Sequence, residues 1–376
     1  MSMVAGLPNW LWPRMMVFAM QHITTVCGPV AADELGITLC HEHIFVDISV
    51  TAQEAIRRCD AQLAEDPRLR SLLDTQVSVA NLDDVRRYQN LCKDNLVLSD
   101  MDQAQQELDL YRNHGGRSIV EVTPPTIGRD PLRLKEVAQR TGLHIVCATG
   151  WYSRELKETM PDFGESTAQD LADIMVRELT TGIGETGVCA GVIGELGCGD
   201  DRVLEAGAIA QGQTGRALTI HPGRRVPQYL DLLKSAGANM EKVYVSHMDG
   251  RYNPLSLPWE ISYHKHLMDS YGVTLGYDGF GTYDNIYRND YYPDSLAATT
   301  SDRERVERIA ELVDAGYGEQ IVISQDVCKK YHWTAYGGAG YAHIGRHIIP
   351  ALRRHGLADR EIDTLLVQNP RRLLSH

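Results

Sequence analysis

Eight times along this chain a short run rich in Val, Ile and Leu ends in a polar or glycine-rich patch, and most of these runs are followed by an amphipathic helical stretch. The runs are Gly36–His43, Arg117–Thr123, His144–Gly150, Gly191–Leu196, Ala217–His221, Val243–His247, Val273–Asp278 and Ile321–Asp326. Most lack the polar alternation of a half-exposed strand, so they read as strands buried on both faces of a parallel sheet. Between them, Leu134–Thr141, Ser166–Thr181, Val226–Ala236 and Arg303–Ala315 carry apolar residues at helical spacing. Repeated strand–helix units leave two folds, a doubly wound sheet or a barrel. Even spacing favours the barrel: 26 positions separate Glu195 from His221, and 26 separate His221 from His247.

The 376 residues exceed an average domain, but a barrel of this kind runs from roughly 250 residues to over 400 with insertions. The expected fold is α/β: a single (β/α)8 TIM barrel over residues 22–376, with a short N-terminal extension over residues 1–21. The first crossover, Ile44–Gly116, is long and holds several helical pieces, Asp102–His114 among them. The stretches Asp249–His264 and Gly279–Thr300 follow strand ends, where substrate-covering loops belong. A helical tail is expected from Arg346 onward.

The formal net charge of −13 comes without a basic stripe, which argues against nucleic acid and anionic membranes as partners. The eight cysteines are scattered with no CxxC pair, so neither a zinc ribbon nor a disulfide framework is indicated. Cys40, Cys147 and Cys189 read as buried free thiols, in keeping with a reducing cytoplasm. Pro8, Pro13 and Arg14 interrupt the apolar first twenty residues, short of the ~18-residue run that suggests a membrane span. The expectation is a cytoplasmic protein acting on a small molecule.

The ends of the runs carry the chemistry. In a strand, His41 and His43 of Cys40-His41-Glu42-His43 share a face, and two adjacent imidazoles at a barrel mouth make half of a metal site. Four other runs reach a metal-competent residue at or near their ends: Glu195, His221, His247 and Asp326. Strand ends converge at the C-terminal face of a barrel. Four His, one Glu and one Asp are too many for one tetrahedral zinc and suit two divalent cations, with Zn first and Mn, Co or Fe as alternatives. A bridging hydroxide would then attack, and Asp326 would take its proton and pass it to the leaving group.

This constellation resembles the phosphotriesterase family of the amidohydrolase superfamily, from about His22 to Leu374. Thr25–His43, Ala148–Tyr152 (ATGWY), Gly194–Gly197 (GELG), Ile220–Arg224 (IHPGR), Ser246–Gly250 (SHMDG), Gly276–Gly281 (GYDGFG), Ser324–Val327 (SQDV), Gly340–Ile344 and Asn369–Leu374 fall in the family's order. The resemblance implies that His41, His43 and Asp326 hold the more buried metal and His221 and His247 the more exposed one. Many members bridge the metals with a carboxylated lysine. Here the position is Glu195, as in the phosphotriesterase-related branch, and Lys157 and Lys242 are badly placed to substitute. Lactonases of the family often carry Arg after the strand-seven Asp, whereas Gly279 follows Asp278 here. Tyr152 matches a position that leans over the metals, and a loop tyrosine packed beside Trp151 is its plain alternative. Asp278 reads as a partner orienting a ligand histidine or as a helix cap. Glu121 reads as a supporting or packing residue. Arg224 and Arg251 read as surface residues or as contacts to an anionic substrate. The tyrosine-rich Tyr283–Tyr292 reads as a pocket wall or part of an interface, and the family implies a homodimer.

The reaction expected first is hydrolysis of a carboxylic ester, with a lactone foremost. Hydrolysis of an N-acyl amide at the same centre is the second reading, and phosphotriester hydrolysis the third. A mononuclear deaminase would need no bridging carboxylate. A non-catalytic binding protein on a degenerate barrel would be expected to have lost ligands, and none is missing here.

Overall fold

The computed structural model describes residues 21–152, 163–197, 199–222, 225–249, 260–282 and 300–376. Residues 1–20 of the expected N-terminal extension, Lys157, Arg224, Arg251 and the run Tyr283–Tyr292 lie outside the described residues.

The eight expected strands form one parallel sheet in sequential order. They are β1 (Ile37–Glu42), β2 (Gly116–Glu121), β3 (His144–Thr149), β4 (Val192–Gly197), β5 (Leu218–His221), β6 (Val243–Val245), β7 (Thr274–Tyr277) and β8 (Ile321–Ile323). Helices α1 (Met101–Asn113), α2 (Pro131–Thr141), α3 (Ala168–Thr180), α4 (Asp201–Thr214), α5 (Val226–Ser235), α6 (Ile261–Tyr271) and α7 (Asp302–Asp314) follow the first seven strands. This is the (β/α)8 barrel, and the alternation of its strands explains the unbroken apolar runs. Ile119, Ile145, Ile193, Leu218, Val245, Leu275 and Ile323 belong to the core shared with the helices. Cys40, Val120, Val146, Val192, Tyr244 and Val322 fill the interior.

Local signals set the helix starts. Asp100 and Asp130 cap α1 and α2 by accepting from Gln103 N and Arg133 N. Capping boxes open α3 (Thr167, Asp170) and α7 (Ser301, Glu304), satisfying amides that have no partner within the helix.

Three features correct the sequence reading. A hairpin, His22–Thr25 with Gly28–Ala31, precedes β1, and Ile23 joins Leu373 and Leu374 in the interior core. Helix α4 escaped notice because it is apolar nearly all round, with Val203, Leu204, Ala206, Ala208 and Ala210 all buried. The stretch expected to be loop through His264 turns helical at Ile261. The long first crossover carries short helices over 51–87. Their apolar side chains form a separate cluster with Tyr331, so this insertion leans on the segment after β8. Helical turns follow from Ile344 to Leu374, matching the expected tail.

Candidate metal centre

The six expected ligand residues meet at the C-terminal mouth. Oε1 of Glu195, at the end of β4, lies 3.1 Å from His247 Nε2, 3.4 Å from His41 Nε2 and 3.9 Å from His221 Nε2. Oδ1 of Asp326 lies 3.4 Å from His43 Nε2 and 3.9 Å from His41 Nε2. Two three-residue groups result, His41–Glu195–His247 and His41–His43–Asp326, all buried. His221 stands beside them, 18% exposed, its ring 4.8 Å from that of His247.

The donor set fits divalent cations. Donor atoms about 2.0–2.1 Å from a tetrahedral ion lie about 3.3 Å from one another, which is the spacing around Glu195 and Asp326. His41 Nε2 is buried and makes no hydrogen bond, a costly state unless an ion completes it. The outer nitrogens of three rings are engaged. His41 Nδ1 lies 3.1 Å from Ser246 Oγ, His43 Nδ1 lies 2.8 Å from Thr123 Oγ1, and His247 Nδ1 lies 2.8 Å from Asp278 Oδ1. Such contacts orient a ligand imidazole and leave Nε2 for the ion.

Asp278 therefore takes the orienting role. It accepts from His247 N as well, and Tyr244 donates its hydroxyl to Asp278 Oδ2 at 2.6 Å. Gly276 makes room for Tyr244, since a Cβ there would fall 2.3 Å from the tyrosine ring. Glu121 accepts from Thr123 Oγ1 at 2.5 Å and from Ile44 N, standing behind His43 as a supporting residue. Tyr152 packs edge-on against His221 with ring centroids 4.9 Å apart. Lys242 donates to the carbonyls of Leu373 and Ser375, just before the start of β6, at the barrel's opposite end. It cannot bridge the cluster.

Charge is arranged to match. Burial works to raise the Glu195 carboxyl, but His221, His41 and His247 outweigh it and bring it down to about 2. Asp278 is likewise brought down to about 2, with His247 and His41 overcoming its burial. Burial lowers His41, and lowers His221 to about 4, favouring the neutral form that binds metal. Burial also opposes the charging of His247, yet Asp278 and Glu195 drive that ring well above the ordinary value. Ionised carboxylates packed this tightly call for positive charge among them. Burial pushes Glu42 up to about 8, which cations at the centre would offset.

Two of the candidate ligands lie past the ends of the strands expected to carry them. β6 stops at Val245 and β8 at Ile323, and His247 and Asp326 adopt left-handed backbone, with φ of 58° and 52°. Non-glycine residues pay about 1–3 kcal/mol for this and concentrate at functional sites. No sequence motif signals the second polar group beside the mouth. Asp249 Oδ2 accepts from Gly279 N at 2.7 Å and from Arg305 Nε at 2.6 Å. Asp302 accepts from Gly281 N and Arg305 Nη1 and pairs with His343 Nε2 at 2.6 Å.

Comparison with known proteins places this geometry. Residues 21–374 match the model of the phosphotriesterase family. An N-acetyltaurine hydrolase of Dictyostelium discoideum is 33% identical, over 94% of this chain and 97% of its own. One of Xenopus tropicalis is 31% identical, over 94% and 97%. Among solved structures, a resiniferatoxin-binding protein of Rhodobacter sphaeroides superposes with a TM-score of 0.81 at 34% identity, covering 94% of each chain.

Proposed function

Given that this chain belongs to the phosphotriesterase family and is a hydrolase of it, we propose that it cleaves the amide bond of a small N-acyl compound at a two-cation centre. N-acetyltaurine is the substrate to try first. One observation carries the two-cation reading: a single Glu195 oxygen lies within 4 Å of three imidazole nitrogens, while Asp326 gathers His43 and His41 beside it. The choice of amide rests on the relatives, which are named N-acetyltaurine hydrolases. It moves the lactone reading to second place, in keeping with Gly279 at the position where lactonases carry arginine.

The ligands in this reading are His41, His43, Glu195, His221, His247 and Asp326. Divalent cations held there would supply Lewis acidity, making a water nucleophilic near neutral pH and polarising the acyl oxygen. Asp326 accepts the proton of the attacking water and delivers it to the departing nitrogen, so a carboxylate and an amine leave. Asp278 keeps the His247 ring turned with Nε2 toward Glu195. Tyr152, edge-on against His221, borders the leaving group.

The test is a panel of N-acetyltaurine, other N-acyl amino compounds, lactones, aryl esters and phosphotriesters, compared by kcat/KM. It uses protein stripped by chelator and reloaded with Zn, Mn or Co, with Asp326→Asn as control. The N-acyl class should stand at least about tenfold above the rest, a gap of ~1.4 kcal/mol in the barrier, and the control should abolish turnover. A lactone or phosphotriester at the top would overturn the amide assignment.

A further inference from the structure

The barrel closes on itself without a strand ladder. Each of β1 to β8 pairs with the next, but β8 and β1 share no pairing among the described residues. Two backbone bonds beyond the end of β8 cross the gap, Asp326 N to His41 O at 3.1 Å and His43 N to Val327 O at 3.2 Å. Two buried side chains supply the other hydrogen bonds. Ser324 Oγ accepts from His41 N at 3.0 Å and lies 2.7 Å from Glu42 Oε1 and 3.0 Å from His41 O, and its one proton goes to the nearer, Glu42 Oε1. The Glu42 carboxylate accepts from Gln325 N through Oε1 at 2.8 Å and from Val327 N through Oε2 at 2.9 Å.

Those two amides flank Asp326. One carboxylate thus grips the chain on both sides of a residue held at φ 52°, a conformation that persists only where its surroundings impose it. The same glutamate sits between His41 and His43, so one side chain ties both halves of the His41–His43–Asp326 group together. We infer that Glu42, aided by Ser324, is a positioning residue that holds Asp326 against His41 and His43 and so builds one of the two cation sites. This rests on the reading of those three residues as ligands.

A glutamine at 42 keeps the shape but replaces one acceptor by an NH2 group, which would face another N–H. Partners behind the ligands are worth about 10–100-fold in metal affinity. Metal-free wild type, E42Q, S324A and S324T would each be titrated with Zn²⁺ against a chromophoric chelator, with amide exchange followed at Gln325 and Val327. Wild type should bind two cations. E42Q should bind one as wild type does and the other at least about tenfold more weakly, with faster exchange at Val327 before metal is added. S324A should weaken the same site, and S324T, which keeps the hydroxyl, should restore it. If E42Q does not fold, S324A decides, and wild-type affinity for both cations in S324A overturns the inference. Two cations bound by wild type and equally by E42Q overturn the inference alone. No cation bound by wild type overturns the reading of the centre and this inference with it.

Discussion

Replacing Arg305 by Met tests whether Asp249 and Gly279, beside the candidate metal centre, are held by a buried charge pair. Arg305 and Asp249 side chains are 1% and 0% exposed. Removing the guanidinium would leave the Asp249 carboxylate in the interior with Gly279 N as its one remaining donor among the described residues. Breaking a buried pair from one side costs about 3–5 kcal/mol. Unfolding entropy of about 2.1 cal/mol/K per residue over 376 residues is about 0.8 kcal/mol/K, so Tm should fall by roughly 4–6 °C. The pair is not perfectly compensated, because Asp249 Oδ1 and Arg305 Nη2 are buried without a hydrogen bond. Its net worth against a neutral replacement is therefore small. The double variant Asp249→Asn/Arg305→Met keeps an acceptor for Gly279 N and should recover to within about 1–2 °C of the parent, since neutral groups do not carry the burial penalty of a lone charge. Scanning calorimetry at one fixed rate on the parent, both single variants and the double variant completes the cycle. A loss below about 1 °C in the Arg305 variant, or a double variant as damaged as the sum of the singles, would refute the reasoning.

Gly279→Arg, which restores the residue common in family lactonases, should lower stability and bring no lactonase activity. Its Cβ would lie 2.6 Å from Arg305 Nη2 and 2.7 Å from Asp249 Oδ2, and overpacking of that kind costs about 1–3 kcal/mol; a stable variant with new lactonase turnover would contradict this. Tyr152→Phe keeps the ring on His221 and should lower kcat about tenfold with KM little changed, the cost of about one hydrogen bond to a reacting group; unchanged kcat would remove the hydroxyl from the reaction. Burial, with a smaller contribution from Arg308, brings His264 down to about 4, so between that value and about pH 6.5 the unfolded chain takes up a proton that the native state refuses. Its contribution is complete above about pH 6.5, falls as pH drops toward 4, and reaches on the order of 3 kcal/mol. Tm should therefore drop less between pH 7 and pH 4.5 in His264→Gln than in the parent, and equal drops would exclude the group.

Much of this was legible in the sequence, for a definite reason. Strands buried on both faces write themselves as apolar runs, and a barrel gathers their C-terminal ends, so Glu195, His221, His247 and Asp326 could be brought to one place with His41 and His43 before any coordinates. The periodicities of 2 and 3.6 do not reach contacts between distant segments. Nothing in HEH says that its glutamate grips the amides on either side of Asp326, and nothing pairs Asp249 with an arginine 56 positions later. The left-handed backbone at His247 and Asp326 is equally silent: His and Asp enter it more often than most residues, yet only at a small share of their positions, so residue type alone does not mark it. Helix α4 was lost to the opposite cause, since a segment buried nearly all round has no polar face to set its period.

The closure between β1 and β8 also sets a clock. Its side-chain bonds span 282 to 285 positions. At about 5–20 residues per second, Asp326 is synthesised roughly 15 to 60 s after His41 and His43. For that interval the first two imidazoles wait on a growing chain with no acidic partner from the far end. The candidate centre is thus completed late in synthesis, and a chain cut short before Ser324 would lack both Asp326 and the side-chain bonds that join the end of β8 to β1.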